Sequence, residues 1–351
     1  MFEDRTKRTE VSSLGEFGLI DYLTKDINLF NDSTEYGIGD DAAVINPQGK
    51  KVLISTDLLV EGVHFDLTYS PLKHLGYKSV IVNLSDIAAM NAIPTQITVS
   101  LALSNRFSVE AIEEIYKGIK LACKQYNVDL IGGDTTTSKS GLMISITVLG
   151  LAEEKDIVYR KGAKAGDLLC VSGDLGAAYA GLLVMEREKS EFIANPNMQP
   201  QLEGLDYILE RLLKPEARVD MVNIFKEIGV KPTSMMDISD GLGSEIKHIC
   251  KQSDVGCSVY EDKIPIDQQA WDMAREFKMD PTNLTLNGGE DYELLFTISQ
   301  DDYEKVKGVN EIIIIGYMTE PEAGINLITK NNVSAPIKAQ GWDGLVDSNE
   351  E

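Results

Sequence analysis

The chain has 351 residues, 43% hydrophobic and 25% charged, a globular composition on a length that exceeds one ordinary core, so two domains are expected. Asp and Glu number 56 against 33 Lys and Arg, giving a net charge of -23. A surface this acidic repels phosphate backbones and anionic lipid, which excludes non-specific nucleic-acid binding and adhesion to a membrane surface.

In chain order, residues 1–15 read as a loose polar extension. Residues 16–25 place Phe17, Ile20 and Leu23 at helical spacing and predict a short helix. The apolar runs 42–45 and 52–56, bounded by Gly, Asn and Pro, predict strands. A helix is expected over 71–92, closed by Pro94. Ile97, Val99, Leu101 and Leu103 alternate with small or polar residues, which predicts a half-buried strand over 95–103. The helix expected over 108–126 opens on Ser108 as N-cap and carries Ile112, Ile115, Ile119 and Ala122 on one stripe. Strands are expected over 128–131 and 142–151. Near residue 152 the pattern breaks into charge and glycine, which sets the domain boundary: 16–152 and 153–345, with an acidic tail at 346–351. Beyond it come a strand at 168–172, a helix at 175–187, a polar segment at 188–201 and helices at 202–213 and 216–229. A strand at 234–237, a helix at 241–252, a strand at 257–260 and a helix at 267–277 follow. A strand at 292–298, a helix at 301–307 and a strand at 311–317 complete the pattern. Both halves mix strands with helices, so the expected class is α+β: an N-terminal mixed sheet domain, then an α/β domain whose sheet is covered by helices.

No apolar leader opens the chain, and no stretch approaches the roughly 18 uncharged apolar residues of a membrane span. Cys123, Cys170, Cys250 and Cys257 form no C-x-x-C pair, and His64, His74 and His248 share no metal spacing. A disulfide scaffold and a zinc site are therefore not expected, and a reduced cytoplasmic protein is.

Acidic residues concentrate in small-residue segments where strands are expected to end: Gly39-Asp40-Asp41, Ser55-Thr56-Asp57, Gly132-Gly133-Asp134, Asp237-Ile238-Ser239-Asp240-Gly241 and Gly288-Gly289-Glu290-Asp291. Asn83 and Asp86, three apart, share a helix face. Each piece alone reads as ordinary capping and turning. Together, carboxylates beside glycines that let backbone approach a ligand point to a hard divalent cation. Oxygen donors without His or Cys suit Mg²⁺, whose remaining positions are commonly filled by water and phosphate, so a nucleoside triphosphate is the expected companion. No P-loop occurs. Gly37 to Ala42 fits G-x-G-x-x-A, but polar residues precede it and a strand follows, so it reads as a metal loop rather than a dinucleotide turn. Arg160 could clamp a phosphate or be a surface arginine at the domain boundary, His64 could be a half-buried structural imidazole or a ligand contact, and Trp342 could pack or stack on an aromatic substrate.

The ordered set Gly39-Asp40-Asp41-Ala42-Ala43, Ser55-Thr56-Asp57 with His64-Phe65, Asn83-Leu84-Ser85-Asp86, Gly132-Gly133-Asp134-Thr135-Thr136, Asp237-Ile238-Ser239-Asp240-Gly241 and Gly288-Gly289-Glu290-Asp291-Tyr292 resembles the thiamine-monophosphate kinase family, from about residue 16 to residue 342. The resemblance implies ATP-dependent phosphorylation of thiamine monophosphate to thiamine diphosphate, in a homodimer whose N-terminal sheets pair. It implies Mg²⁺ ligands at Asp41, Ser55, Thr56, Asp57, Asp86, Asp134, Asp237 and Asp240, among which Asp57, Asp134 and Asp240 would be catalytic. ATP would meet Gly133, Asp134, Arg160, Ser239 and Tyr116; thiamine monophosphate would meet His64, Glu290 and Trp342. Alternatives are a related ATP-dependent enzyme with another acceptor, though no cysteine lies near either end as selenophosphate synthetase or the hydrogenase maturation protein would require, and a non-catalytic protein that binds divalent cations.

Overall fold

The computed structural model describes residues 9–38 and 42–338. The chain divides into two compact units, one of residues up to 87 with 92–155 and the other of 88–91 with 156 onward. Among the described residues no helix is long and apolar enough to cross a membrane.

The first unit runs α1 (Gly15–Thr24), β1 (Thr34–Tyr36), β2 (Val44–Ile45), β3 (Lys51–Val60), α2 (Leu72–Ala89), β4 (Ile93–Leu103), α3 (Val109–Tyr126), β5 (Asp129–Thr137) and β6 (Met143–Ala152). Four strands form one sheet in the order β3-β6-β4-β5, antiparallel except for the parallel β4–β5 pair. Period-two alternation gives this sheet two unlike faces. Ile97, Val99, Ile144, Ile146 and Val148 point into the core, whereas Ile54 and Leu58 of β3 are 67% and 52% exposed on the other face. On α3, Ile112, Ile115 and Ile119 are fully buried, each burial contributing about 2–3 kcal/mol. Ser108 caps that helix, its side chain accepting the Ala111 N–H, and left-handed Asn127 ends it. Residues of the extension expected to be loose are docked on the same helix start: Thr9 N–H donates to the Glu110 carboxylate and Glu10 bridges to Ser108.

The second unit contains β7 (Leu168–Ser172), α4 (Ala177–Ala194), α5 (Asp206–Leu213), α6 (Val219–Ile228), β8 (Ser234–Asp237), α7 (Leu242–Ser253), β9 (Gly256–Tyr260), α8 (Gln268–Glu276), α9 (Pro281–Asn287), β10 (Leu294–Ile298), α10 (Tyr303–Val306), β11 (Ile312–Thr319), β12 (Ile325–Ile328) and β13 (Ser334–Pro336). Its seven-stranded sheet has the order β13-β12-β9-β11-β7-β10-β8, with only β9–β12 parallel. Both faces are covered. Leu169, Val171, Leu295 and Ile315 pack with Leu242, Ile246 and Ile249 of α7, and Cys170, Met235 and Phe296 pack with Met221 and Phe225 of α6. Phe225 meets Phe296 edge-on at 5.0 Å between ring centres. This two-sided burial makes the central strands continuous apolar runs rather than alternating ones.

The structure extends several expected elements. β3 runs on to Val60 and β5 to Thr137, so Asp57 and Asp134 sit inside paired strands, not at the loop tips expected for them. The β-branched run Thr135-Thr136-Thr137 favours that extension, and parallel pairing to β4 sustains it. α4, expected to end at residue 187, continues to Ala194 into the polar segment. α9, β12 and β13 were not expected, although Asp280 and Pro281 form a regular helix start in which the Asp280 side chain accepts the Thr282 N–H.

Candidate functional site

In the first unit the site is built by β3 lying beside α2. Ser55 and Asp57 fall on the covered face of β3, at alternate positions, and Asn83 and Asp86 on one face of α2 meet them. Ser55 Oγ donates to Asp86 Oδ2 at 2.5 Å, and Asp57 N–H donates to Asn83 Oδ1 at 3.1 Å. The Asn83 amide is fixed in turn by donating to Ser79 O at 3.0 Å. Burial, and then the nearby Asp86 charge, push the Asp57 carboxyl up to about 6. A hard cation here would relieve both effects, and the donors are oxygen throughout. Among the described residues no three His, Cys, Asp or Glu side chains gather into a complete metal cage. The residues present fit Mg²⁺ in its usual habit, with water and phosphate oxygens completing the shell.

Not every residue expected at the metal is brought to this pair. Thr56 projects its side chain to the opposite face, where its hydroxyl donates to Ile146 O at 3.0 Å. Asp134 lies exposed on β5, at the other edge of the sheet from β3, three strand spacings or roughly 14 Å away. Beside it, Gly133 presses against β4: a Cβ there would stand 1.8 Å from Val99 O, so only glycine fits. His64 closes the turn after β3. Its Nδ1 accepts the Val60 N–H at 3.1 Å, which puts the proton of a neutral ring on Nε2. Tyr116 sits on the buried stripe of α3 at 7% exposure, and burial pushes its phenol up to about 12. Asp41 and Trp342 lie outside the described residues.

In the second unit the end of β8 and the segment before β10 are stitched together. Glu290 N–H donates to Ser239 O at 2.8 Å and Tyr292 N–H to Ile238 O at 2.9 Å. Gly289 permits this contact, since a Cβ there would stand 2.2 Å from Ser239 O. Ser239 and Glu290, expected at ATP and at the substrate, are thereby neighbours. Asp237 is buried at the strand end, Asp240 is half-buried, and Arg160 is exposed on the segment where Tyr159 O accepts the Met235 N–H.

Further residues escaped sequence reasoning. Glu245, in the first turn of α7, accepts the Asp240 N–H at 3.0 Å, and burial pushes its carboxyl up to about 8. An acidic residue shortly after Asp240-Gly241 was the available signal. Arg211 and Arg218 both donate to Glu293, at 2.9 and 2.7 Å. Glu293 is 3% exposed and Asp291 fully buried, its carboxyl pushed up to about 7 by burial. Nothing local marks these pairs: Arg211 and Glu293 stand 82 residues apart.

Comparison with known proteins accords with these two units. Residues 39–152 match the family "AIR synthase related protein, N-terminal domain" and residues 164–323 its C-terminal counterpart. A thiamine-monophosphate kinase of Buchnera aphidicola (subsp. Schizaphis graminum) is 37% identical over 94% of this chain and 99% of its own. That of Bacillus subtilis is 33% identical with the same coverage. The solved structure described as "AaThiL complexed with AMPPCP and TMP" superposes with a TM-score of 0.73 at 31% identity, covering 96% of this chain and 99% of that one. With likeness of this extent to curated relatives of one kind over nearly their whole length, the chain belongs to the thiamine-monophosphate kinase family.

Proposed function

We propose that this chain transfers the terminal phosphoryl group of ATP to thiamine monophosphate, giving thiamine diphosphate and ADP. The observation that carries this reading is the Ser55, Asp57 and Asp86 cluster beside Asn83, an all-oxygen donor set, in a chain of this family. The related structure with AMPPCP and TMP supports the same two ligands here.

Asp57 and Asp86, with Ser55, Asp41, Asp134, Asp237, Asp240 and the main chain of Thr56, are the residues that would hold magnesium. Magnesium held there would supply charge neutralisation for the phosphates of both reactants. Gly133 lets main chain approach the nucleotide, and Arg160 offers a guanidinium fork for its phosphates. Ser239 and Tyr116 complete the ATP contacts. His64, from its fixed tautomer, and Glu290 hold thiamine monophosphate, the carboxylate suiting a cationic thiazolium ring, while Trp342 supplies an aromatic face. A phosphate oxygen of thiamine monophosphate attacks the γ-phosphorus as the bond to the ADP oxygen breaks. That oxygen is already ionised at neutral pH, so no strong general base is required. The exposed Val52, Ile54 and Leu58 on the open face of β3 would be buried in a homodimer, and four buried thiols suit a reducing cytoplasm.

The test is formation of thiamine diphosphate from ATP and thiamine monophosphate with magnesium, and its loss with EDTA. No product at millimolar substrates would refute the reading. Nucleotide and metal binding without product would leave a cation-binding protein.

A further inference from the structure

The segment that carries Glu290 is bent against its own preference. Glu290 (φ 67°) and Tyr292 (φ 53°) are both left-handed, although neither is Gly or Asn. Such residues persist where the surroundings over-determine them, and they collect at binding sites. One side is held by the hydrogen bonds to Ser239 and Ile238. The other side is held from within the unit, and one guanidinium makes most of the links. Arg211 Nη1 donates to Glu293 Oε1 at 2.9 Å, while its Nη2 donates to the main-chain oxygens of Asp291 at 3.1 Å and Asp174 at 3.2 Å. The second oxygen of Glu293 takes Arg218 Nη1 and Ser172 Oγ, each at 2.7 Å. The Asp291 carboxylate accepts Gly176 N–H at 2.8 Å. Asp291 and Glu293 are thus anchored inside, at 0% and 3% exposure, while Glu290 stays half-buried. A planar fork can serve three acceptors on two separate segments at once, and an ammonium cannot reproduce that geometry.

We infer that Arg211 is a positioning residue for thiamine monophosphate: by joining the Glu293 carboxylate to the Asp291 and Asp174 carbonyls, it fixes the left-handed turn that presents Glu290. This rests on the reading of Glu290 as a substrate contact. Arg211→Lys keeps a cation for Glu293 and loses the fork. Steady-state kinetics of the full chain should show the KM for thiamine monophosphate rising about tenfold while that for ATP stays within about twofold. In a Glu290→Gln background the same substitution should add less than about twofold, because its route of action is already gone. If circular dichroism shows Arg211→Lys unfolded, Ser172→Ala, which removes one donor to Glu293, should give the same selective rise in smaller measure. Equal rises in both KM values, or full additivity with Glu290→Gln, would overturn the inference. An active wild type indifferent to Glu290→Gln removes its premise, whereas an inactive wild type refutes the kinase reading itself.

Discussion

Asp57→Asn tests the electrostatics of the β3–α2 pair directly. Raising an aspartate from the usual 3.8 to about 6, at about 1.36 kcal/mol per tenfold, opposes folding of the metal-free protein by about 3 kcal/mol at neutral pH. The folded state binds the proton more tightly than the unfolded one. The contribution of this carboxyl to stability is therefore greatest below about pH 4, falls as pH rises towards 6, and stays low above it. Asparagine carries no charge at any pH and leaves the main-chain bond to Asn83 in place. At about 2–4 °C per kcal/mol for a unit of this size, the variant should melt up to about 6–12 °C above wild type at pH 7.5, and level with it near pH 4. The assay is calorimetry in EDTA from pH 4 to 8, repeated with magnesium. Magnesium should narrow the gap by raising wild type alone, and the variant should lose most turnover. Parallel melting curves across that pH range in EDTA would refute the reasoning.

Gly133→Ala should shift β5 off β4, because the new methyl has no room beside Val99 O; a loss of about 1–3 kcal/mol in urea unfolding, together with weakened ATP binding, is expected. Glu293→Ala takes the shared carboxylate away from two guanidinium groups that are 12% and 14% exposed, and should lower stability by about 3 kcal/mol, read as an earlier denaturation midpoint. Arg160→Ala, at an exposed position, should leave the melting temperature unchanged and raise the KM for ATP about tenfold, with that for thiamine monophosphate within about twofold.

What the sequence made legible was whatever rests on short-range pattern. The α3 stripe of isoleucines and its Ser108 cap are a 3.6-residue period and a local hydrogen bond, and both are read within a few residues. The apolar runs of the second unit's sheet were legible as strands because burial on both faces leaves no other composition available. Asp57 and Asp134 were marked as chemistry by their flanking small residues, but their place inside strands depends on partners that local sequence does not reveal. The resemblance groups Thr56 with Ser55 and Asp57 as one motif, three residues adjacent in sequence. Adjacency in a strand means opposite faces, and the structure accordingly separates its hydroxyl from the pair. Arg211, Arg218 and Glu293 were illegible for another reason: charged residues on a helix or before a strand have the composition of a solvated surface, and only the packed fold buries them together.

The ten-residue pairing of β3 with β6 ties chemistry to folding fidelity. Because side chains alternate, a slip of one position would turn Asp57 out to the open face and bring Leu58 opposite α2. Such a misthreaded chain could keep its strand content and most of its hydrogen bonds while losing every group proposed to grip magnesium on that strand. β3 is also an edge, so no outer neighbour corrects the alignment. Ser55 Oγ on Asp86 and Asp57 N–H on Asn83 thus act as a proofreading latch, selecting the one alignment in which the strand is useful.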